Sequence, residues 1–343
     1  MQSQWQQFLL DQGAELDADG QLSLANSHEA IDQLQTRGVI ASLDHLGCIR
    51  ASGADVQDFL QGQLSNDIAQ LQNKQVQISA YCNPKGRMLA QFLVVPDQSD
   101  FLLLLPRNIL EPTLKRLRMF ILRSQVSLDD VSEQQICLGV AGADLSPAKD
   151  KLQFPDSDYA LNQHDGLLVC KLPGPLERYL LVTSSAQASA LWQDMATTLM
   201  PTDQHVWHWL DIQAGLPNIL PQTVEEFVPQ MVNLELINGV NFKKGCYPGQ
   251  EIVARMHYLG KPKRRMHHFS LAQSTAPVPG TDVYVANGNG QSAGKIVLAE
   301  TDASGCDCLA VIQNDKQNAD LRLGAADGPK LVMASLPYSL ESA

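Results

Sequence analysis

The stretch Asn241-Phe-Lys-Lys-Gly-Cys-Tyr-Pro-Gly-Gln-Glu-Ile-Val-Ala-Arg255 stands apart from the rest of the 343-residue chain. Between Lys243 and Arg265 lie seven bases (Lys243, Lys244, Arg255, Lys261, Lys263, Arg264, Arg265) and one acid, Glu251. The segment carries +6 in a chain of net charge −12, which leaves −18 for the remainder. Such an island is a landing point for an anion. Gly245 and Gly249 bracket Cys246-Tyr247-Pro248 in a tight loop with little side-chain cover. A thiol beside two lysines has the electrostatics that favour thiolate, the reactive and metal-binding form. Glu251 and Arg255 are four apart with the acid first, so a helix starting here puts them on one face. A buried structural cysteine beside a solvated charge cluster explains the same spacing equally well.

Outward from this loop the periodicity predicts a mixed α+β chain. Val56, Phe59, Leu60 and Leu64 recur at helical spacing after Gly53-Ala-Asp55, and Ser65-Asn66-Asp67 reads as the helix exit. Gln75–Tyr81 and Met88–Val95 read as a hairpin around the turn Asn83-Pro84-Lys85-Gly86. Phe101–Leu105 is a further strand. Leu110, Leu114, Leu117 and Ile121 then predict one helix face, with Lys115, Arg116 and Arg118 off it. Residues 135–142, 167–172 and 179–183 read as strands before a helix over 187–199. A second helix, 206–215, stops at Gly215 and Pro217. After Met266 short apolar runs alternate with Pro-Gly and Asn-Gly turns, which suggests a small antiparallel barrel or sandwich. Residues 1–30 are polar, and their role is not readable.

Composition removes several classes. An acidic chain with 6% aromatic residues argues against a uniformly basic nucleic-acid coat or a repeated base-stacking platform. The first base is Arg37 and the longest strongly apolar tract is Phe101–Leu105, so neither a signal peptide nor a membrane span is expected. Seven scattered cysteines fit a reducing cytoplasm better than a disulfide framework. There is no P-loop, no G-x-S-x-G elbow and no H-E-x-x-H helix. Cys306-Asp-Cys308 lacks a second pair at zinc-ribbon spacing and reads as two buried small residues.

Lys-Gly-Cys-Tyr-x-Gly-Gln-Glu followed by Val-Ala-Arg resembles the signature of the YgfZ family, folate-binding proteins related to the glycine-cleavage T-protein. The similarity runs from about Val39 to the C-terminus. It takes in Gly53-Ala-Asp55, Phe59-Leu-Gln-Gly-Gln63, Lys85-Gly86, Ile212-Gln-Ala-Gly215 and Leu336-Pro-Tyr-Ser-Leu340. The resemblance implies a three-domain, T-protein-like α+β architecture with mixed and antiparallel sheets and a small C-terminal β-barrel. The expected division is an N-terminal extension over 1–38, a discontinuous folate-binding domain over 39–134 and 204–265, a second domain over 135–203 and the barrel over 266–343.

The resemblance also implies folate (tetrahydrofolate or a one-carbon derivative) in a central pocket. It further implies a cytoplasmic, monomeric protein that supports iron–sulfur enzymes or their assembly factors and thereby tRNA thiolation, with a link to replication initiation. Trp207 matches a family tryptophan assigned to folate, although a helical Trp is ordinarily core. A second family tryptophan is unmatched, its place taken by Leu46. Cys246 is the expected reactive or transiently ligating thiol, with Lys244 beside it; Gln250, Glu251 and Arg255 are the expected cofactor contacts. No stable metal site is expected, since one cysteine cannot hold a cluster alone. Two alternatives stand beside this reading. An aminomethyltransferase needs an acid on the strand after the Lys85-Gly86 turn, and Met88-Leu-Ala-Gln-Phe92 supplies none. A non-catalytic tRNA adaptor would use the patch Lys261–Arg265.

Overall fold

Alternation shapes the first sheet. Along Met88–Asp97, Met88, Ala90, Phe92 and Val94 are buried while Leu89, Gln91 and Leu93 are half-buried on the other face, the period-two signature of a strand. The turn before it puts Gly86 at φ +71°, a region glycine enters without a Cβ penalty. The Asn83 side chain fixes that turn by accepting from the Lys85 and Arg87 N–H groups at 2.9 and 3.0 Å. The computed structural model describes residues 3–16, 22–24, 27–71, 74–260, 262–288 and 290–341. Five antiparallel strands make the first sheet, in the order Gln77–Cys82, Met88–Asp97, Asp100–Pro106, Leu46–Ser52 and Ser127–Asp130. The helix Arg107–Arg118 lays Ile109, Leu110, Leu114 and Leu117 onto it and leaves Lys115 and Arg118 exposed. It ends before Ile121, which the spacing had placed on the same face.

The second sheet has six strands: Leu161–His164, Leu167–Leu172, Arg178–Ser184, Gln135–Ala141, Val39–Ser42 and Met200–Thr202. All neighbours are antiparallel except the last pair. Val39–Ser42 therefore bonds to this sheet, and the chain crosses to the first sheet before Leu46. The helix Gln4–Asp11, closed by a capping box on Ser3, covers this core. Trp5 is 1% exposed, meets Trp192 edge-on at 5.9 Å and donates its indole N–H to Asp44 at 3.0 Å. A polar-looking segment thus brings a core tryptophan.

The third sheet is wholly antiparallel and curls into a half-barrel, in the order Leu321–Leu323, Asp282–Val285, Ser292–Thr301, Cys306–Gln313, Arg264–Leu271 and Val332–Ala334. Cys306 and Cys308 are both buried in it. No described helix is long and apolar enough to cross a membrane.

One helix, Gln204–Gln213, touches all three sheets. Trp207 and Leu210 enter the core between the first two, and Gln213 donates to Asp307 of the third at 3.0 Å. His205 and His208 of the same helix lie 3.0 and 3.6 Å from the Glu300 carboxylate. Burial pushes that carboxyl up, but the hydrogen bonds and charges of the two histidines outweigh it and hold its pKa at about 2. A carboxyl depressed in this way stabilises the fold above its unfolded value, and the contribution fades as pH falls through the folded one. Glu300→Gln is expected to cost about 2 kcal/mol near neutral pH. The gap from wild type should close as pH falls from about 4.5 toward 2. Urea midpoints of both proteins across that range measure it, and a gap that ignores pH would remove the carboxylate's charge from the account.

Candidate functional site

Where the first two sheets meet the Gln204–Gln213 helix there is a narrow cleft of about 80 Å³ that opens to solvent. Its walls are apolar: Leu46, Ile78, Leu93 and Leu104 from the first sheet, Leu172 and Leu180 from the second. Gln91 and Leu93, the half-buried face of the Met88–Asp97 alternation, point the same way. Trp207 and Asp211, four apart on the helix, close one side with Leu216, Pro217 and Asn218. Trp207 is 3% exposed, and a Cβ on Gly139 would lie 2.5 Å from its ring. The indole is thus mostly packed, with a narrow part bordering the cleft, so core residue and wall residue are the same residue.

The polar groups here are few, and Arg178 behind them is fully buried. It pairs with Asp211 at 2.8 Å, donates to the Pro173 carbonyl at 2.9 Å and sits 5.3 Å from the Trp207 ring centroid. Its second amino group, Nη2, has no partner among the described residues. Gln91 donates to the Pro217 carbonyl at 2.8 Å, and its amide oxygen is likewise buried without a partner. Buried polar atoms are rarely left so. A ligand offering a donor to Gln91 fits that gap.

The cysteine loop is built around Lys244. Its ammonium donates to the carbonyls of Gln61, Leu64 and Asn66 at 2.6, 2.6 and 2.9 Å, which uses all three of its protons. Burial lowers its pKa to about 8 against the opposing pull of Asp67. Lys244 is therefore a strut, and its charge is committed away from the thiol. Gly249 closes the loop at φ +81°, where a Cβ would stand 2.4 Å from the Asn83 carbonyl and 2.6 Å from Gly86. The Lys85-Gly86 turn and the cysteine loop are thus one packed unit. Cys246 is exposed, and the other six cysteines are buried.

Asn66 joins cleft to loop. Its side chain donates to the Ile78 carbonyl at 2.9 Å while its own carbonyl accepts from Lys244. The positive island divides on folding. Lys244 turns inward, and Arg265 is buried against Glu235 at 2.6 Å. Lys243, Arg255 and Lys263 stay exposed, and Lys261 lies outside the described residues. Gln250, Glu251 and Arg255 do not line the cleft. Gln250 reaches the Lys244 carbonyl at 3.4 Å. Glu251 and Arg255 share an exposed helix face with no ion pair between them among the described residues.

Gln91, Arg178 and Asp211 escaped the sequence reading. The four-residue step from Trp207 to Asp211 was a readable signal; Arg178, from another sheet, had none. Alkylation of the native protein should stop at one adduct per chain, on Cys246, because burial shields the rest. Intact mass and peptide mapping check this, and label spread over several cysteines would contradict the packing.

No family model matches the chain. It is 34% identical over 307 residues to the tRNA-modifying protein YgfZ of Photorhabdus laumondii, covering 88% of this chain and 92% of that one. Identity to the tRNA-modifying protein YgfZ of an Enterobacter is 32% over 306 residues, covering 88% and 94%. Among solved structures, the glycine cleavage system aminomethyltransferase T from Bartonella henselae superposes with a TM-score of 0.80 over 96% of each chain, at 13% identity. The fold is shared across that distance.

Proposed function

The chain belongs to the YgfZ family, and from that premise we propose that it binds a folate in the central cleft and supports tRNA modification. The observation that carries the reading is the cleft itself. The two positions aligned with the family's folate tryptophans, Trp207 and Leu46, come from different elements and line the same space. An apolar slot with a free amide oxygen on its wall suits a flat heterocycle edged with N–H groups. Folate, when bound, supplies a one-carbon unit. The residues of this chain would hold the ring, exclude water and orient its polar edge through Gln91. The same reading takes the discontinuous domain over 39–134 and 204–265 as the folate-binding unit.

Aminomethyl transfer finds less support. Gln91 cannot donate or accept a full proton in the way a carboxyl can, and the cleft's carboxylate, Asp211, is spoken for by Arg178. The chain's own chemistry would lie in Cys246, exposed on a loop and free of other duties. We place it as the thiol that contacts iron–sulfur enzymes or their assembly factors in the cytoplasm, with thiolation of tRNA as the outcome.

Two results test this. Calorimetry with tetrahydrofolate and its one-carbon derivatives should show binding, and Trp207→Ala should weaken it about tenfold or more through loss of wall area, with native circular dichroism. Absence of any folate binding would end the proposal. Cys246→Ser should fold and bind folate unchanged, yet fail to restore tRNA thiolation in cells lacking the protein. Full restoration by that variant would free Cys246 of its role.

A further inference from the structure

The helix Gln250–Leu259 buries one of its ten residues, Val253. An otherwise uncovered helix ordinarily presents a polar face to water. Here Tyr258 is 63% and Leu259 82% exposed. The aromatic residues are also organised. Phe242 and the exposed His257 stack in parallel at 3.7 Å and 9°, and Tyr258 stands edge-on, 6.3 Å from Phe242 and 4.8 Å from His257. In a chain only 6% aromatic, this is a concentrated surface feature.

Exposed bases surround it. Lys243 adjoins Phe242, Arg255 lies three residues before Tyr258 on the helix surface, and Lys263 follows the helix end. Glu251 is the single acid from Lys243 to Arg265. Asp315, beyond the Asn314 N–H that holds the Lys263 carbonyl, is matched by Lys316 at 3.4 Å. His257 and Tyr258 offer their rings to solvent, with the half-buried Phe242 backing His257 from the core side. Exposed rings beside cations are what unpaired nucleotides use: bases stack on rings, and phosphates meet Lys and Arg. An acidic protein partner would match the cations but leave the ring faces without a specific use. A duplex would hide its bases from them.

We propose that this face, from Phe242 through Tyr258 with Lys243, Arg255 and Lys263, binds an unpaired segment of RNA. The inference deepens the tRNA reading by adding direct contact, and it leaves the folate cleft untouched. RNA held here lies against the helix that starts four residues after Cys246. The overall negative charge keeps the interaction weak and short-ranged, so its affinity should fall steeply with salt.

Fluorescence anisotropy of a labelled RNA hairpin of about 17 nucleotides with an unpaired loop, against a duplex of equal length, tests this. The hairpin should bind with a Kd of about 10–100 μM at low salt, and the duplex more weakly. Tyr258→Ala should weaken binding about tenfold and Tyr258→Phe should keep it, since the ring does the stacking. Arg255→Ala should lower the slope of log K against log salt by about 0.7, one phosphate's worth on a single strand. Both side chains are exposed, so folding is checked by circular dichroism, and folate calorimetry should be unchanged. Absence of hairpin binding at low salt would overturn the proposal, as would indifference to both substitutions or a preference for duplex. Loss of complementation by Tyr258→Ala with no RNA binding would also overturn it, and would assign the face to a protein. Failure of folate binding, by contrast, would sink only the reading of the cleft.

Discussion

A single buried ammonium organises the candidate site. Lys244 surrenders its water for three backbone carbonyls, and charge-assisted hydrogen bonds of this kind contribute about 1.5–3 kcal/mol each. Removing one side of the arrangement would leave either a bare cation or three bare acceptors indoors. Everything about the cysteine loop follows from this anchor. The loop is pinned at Lys244 and wedged at Gly249 against the Asn83–Gly86 turn, so Cys246 is exposed on a fixed frame. Asn66 then ties that frame to Ile78 in the wall of the cleft. Cleft and thiol occupy different places, but they rest on the same few backbone groups.

The cleft owes its character to its near-neutral lining. Its shape belongs to a fold shared with an aminomethyltransferase at a TM-score of 0.80. From the Met88–Asp97 strand the cleft receives the amide of Gln91. The cleft's one carboxylate is clamped by Arg178, which is itself held over the Trp207 ring. Such a site can recognise a polar edge through fixed dipoles, without a group poised to move a proton. In the proposed function binding and chemistry are thereby separated, with recognition assigned to the cleft and reactivity to the loop.

How much of this was legible in the sequence depends on range. The hairpin, its Asn-Pro-Lys-Gly turn, the burial of Cys306 and Cys308 and the curled C-terminal sheet were all readable, because alternation and turn chemistry act over a few residues. Trp5 was missed because one large side chain in a polar segment gives no period. Val39–Ser42 pairs with 138–141 on one side and with 200–202 on the other, a choice no local pattern records. The charge count read Lys244 and Arg265 as part of a basic surface. Their partners, Leu64 and Glu235, lie 180 and 30 residues away, and only the folded chain shows that both turn inward. The Arg178–Asp211 pair was hidden for the same reason.

The Lys244 anchor also has a consequence in time. The carbonyls it satisfies belong to residues 183, 180 and 178 positions earlier in the chain. At a synthesis rate of about 5–20 residues per second, those acceptors emerge roughly ten to forty seconds before their donor exists. Until the lysine arrives those three carbonyls lack their native partner. Contacts of such separation are also slow to close by diffusion once the chain is whole. The cysteine loop is thus set late in the life of the nascent protein, and a chain halted before Lys244 keeps its hairpin yet leaves the carbonyls of Gln61, Leu64 and Asn66 without their ammonium partner.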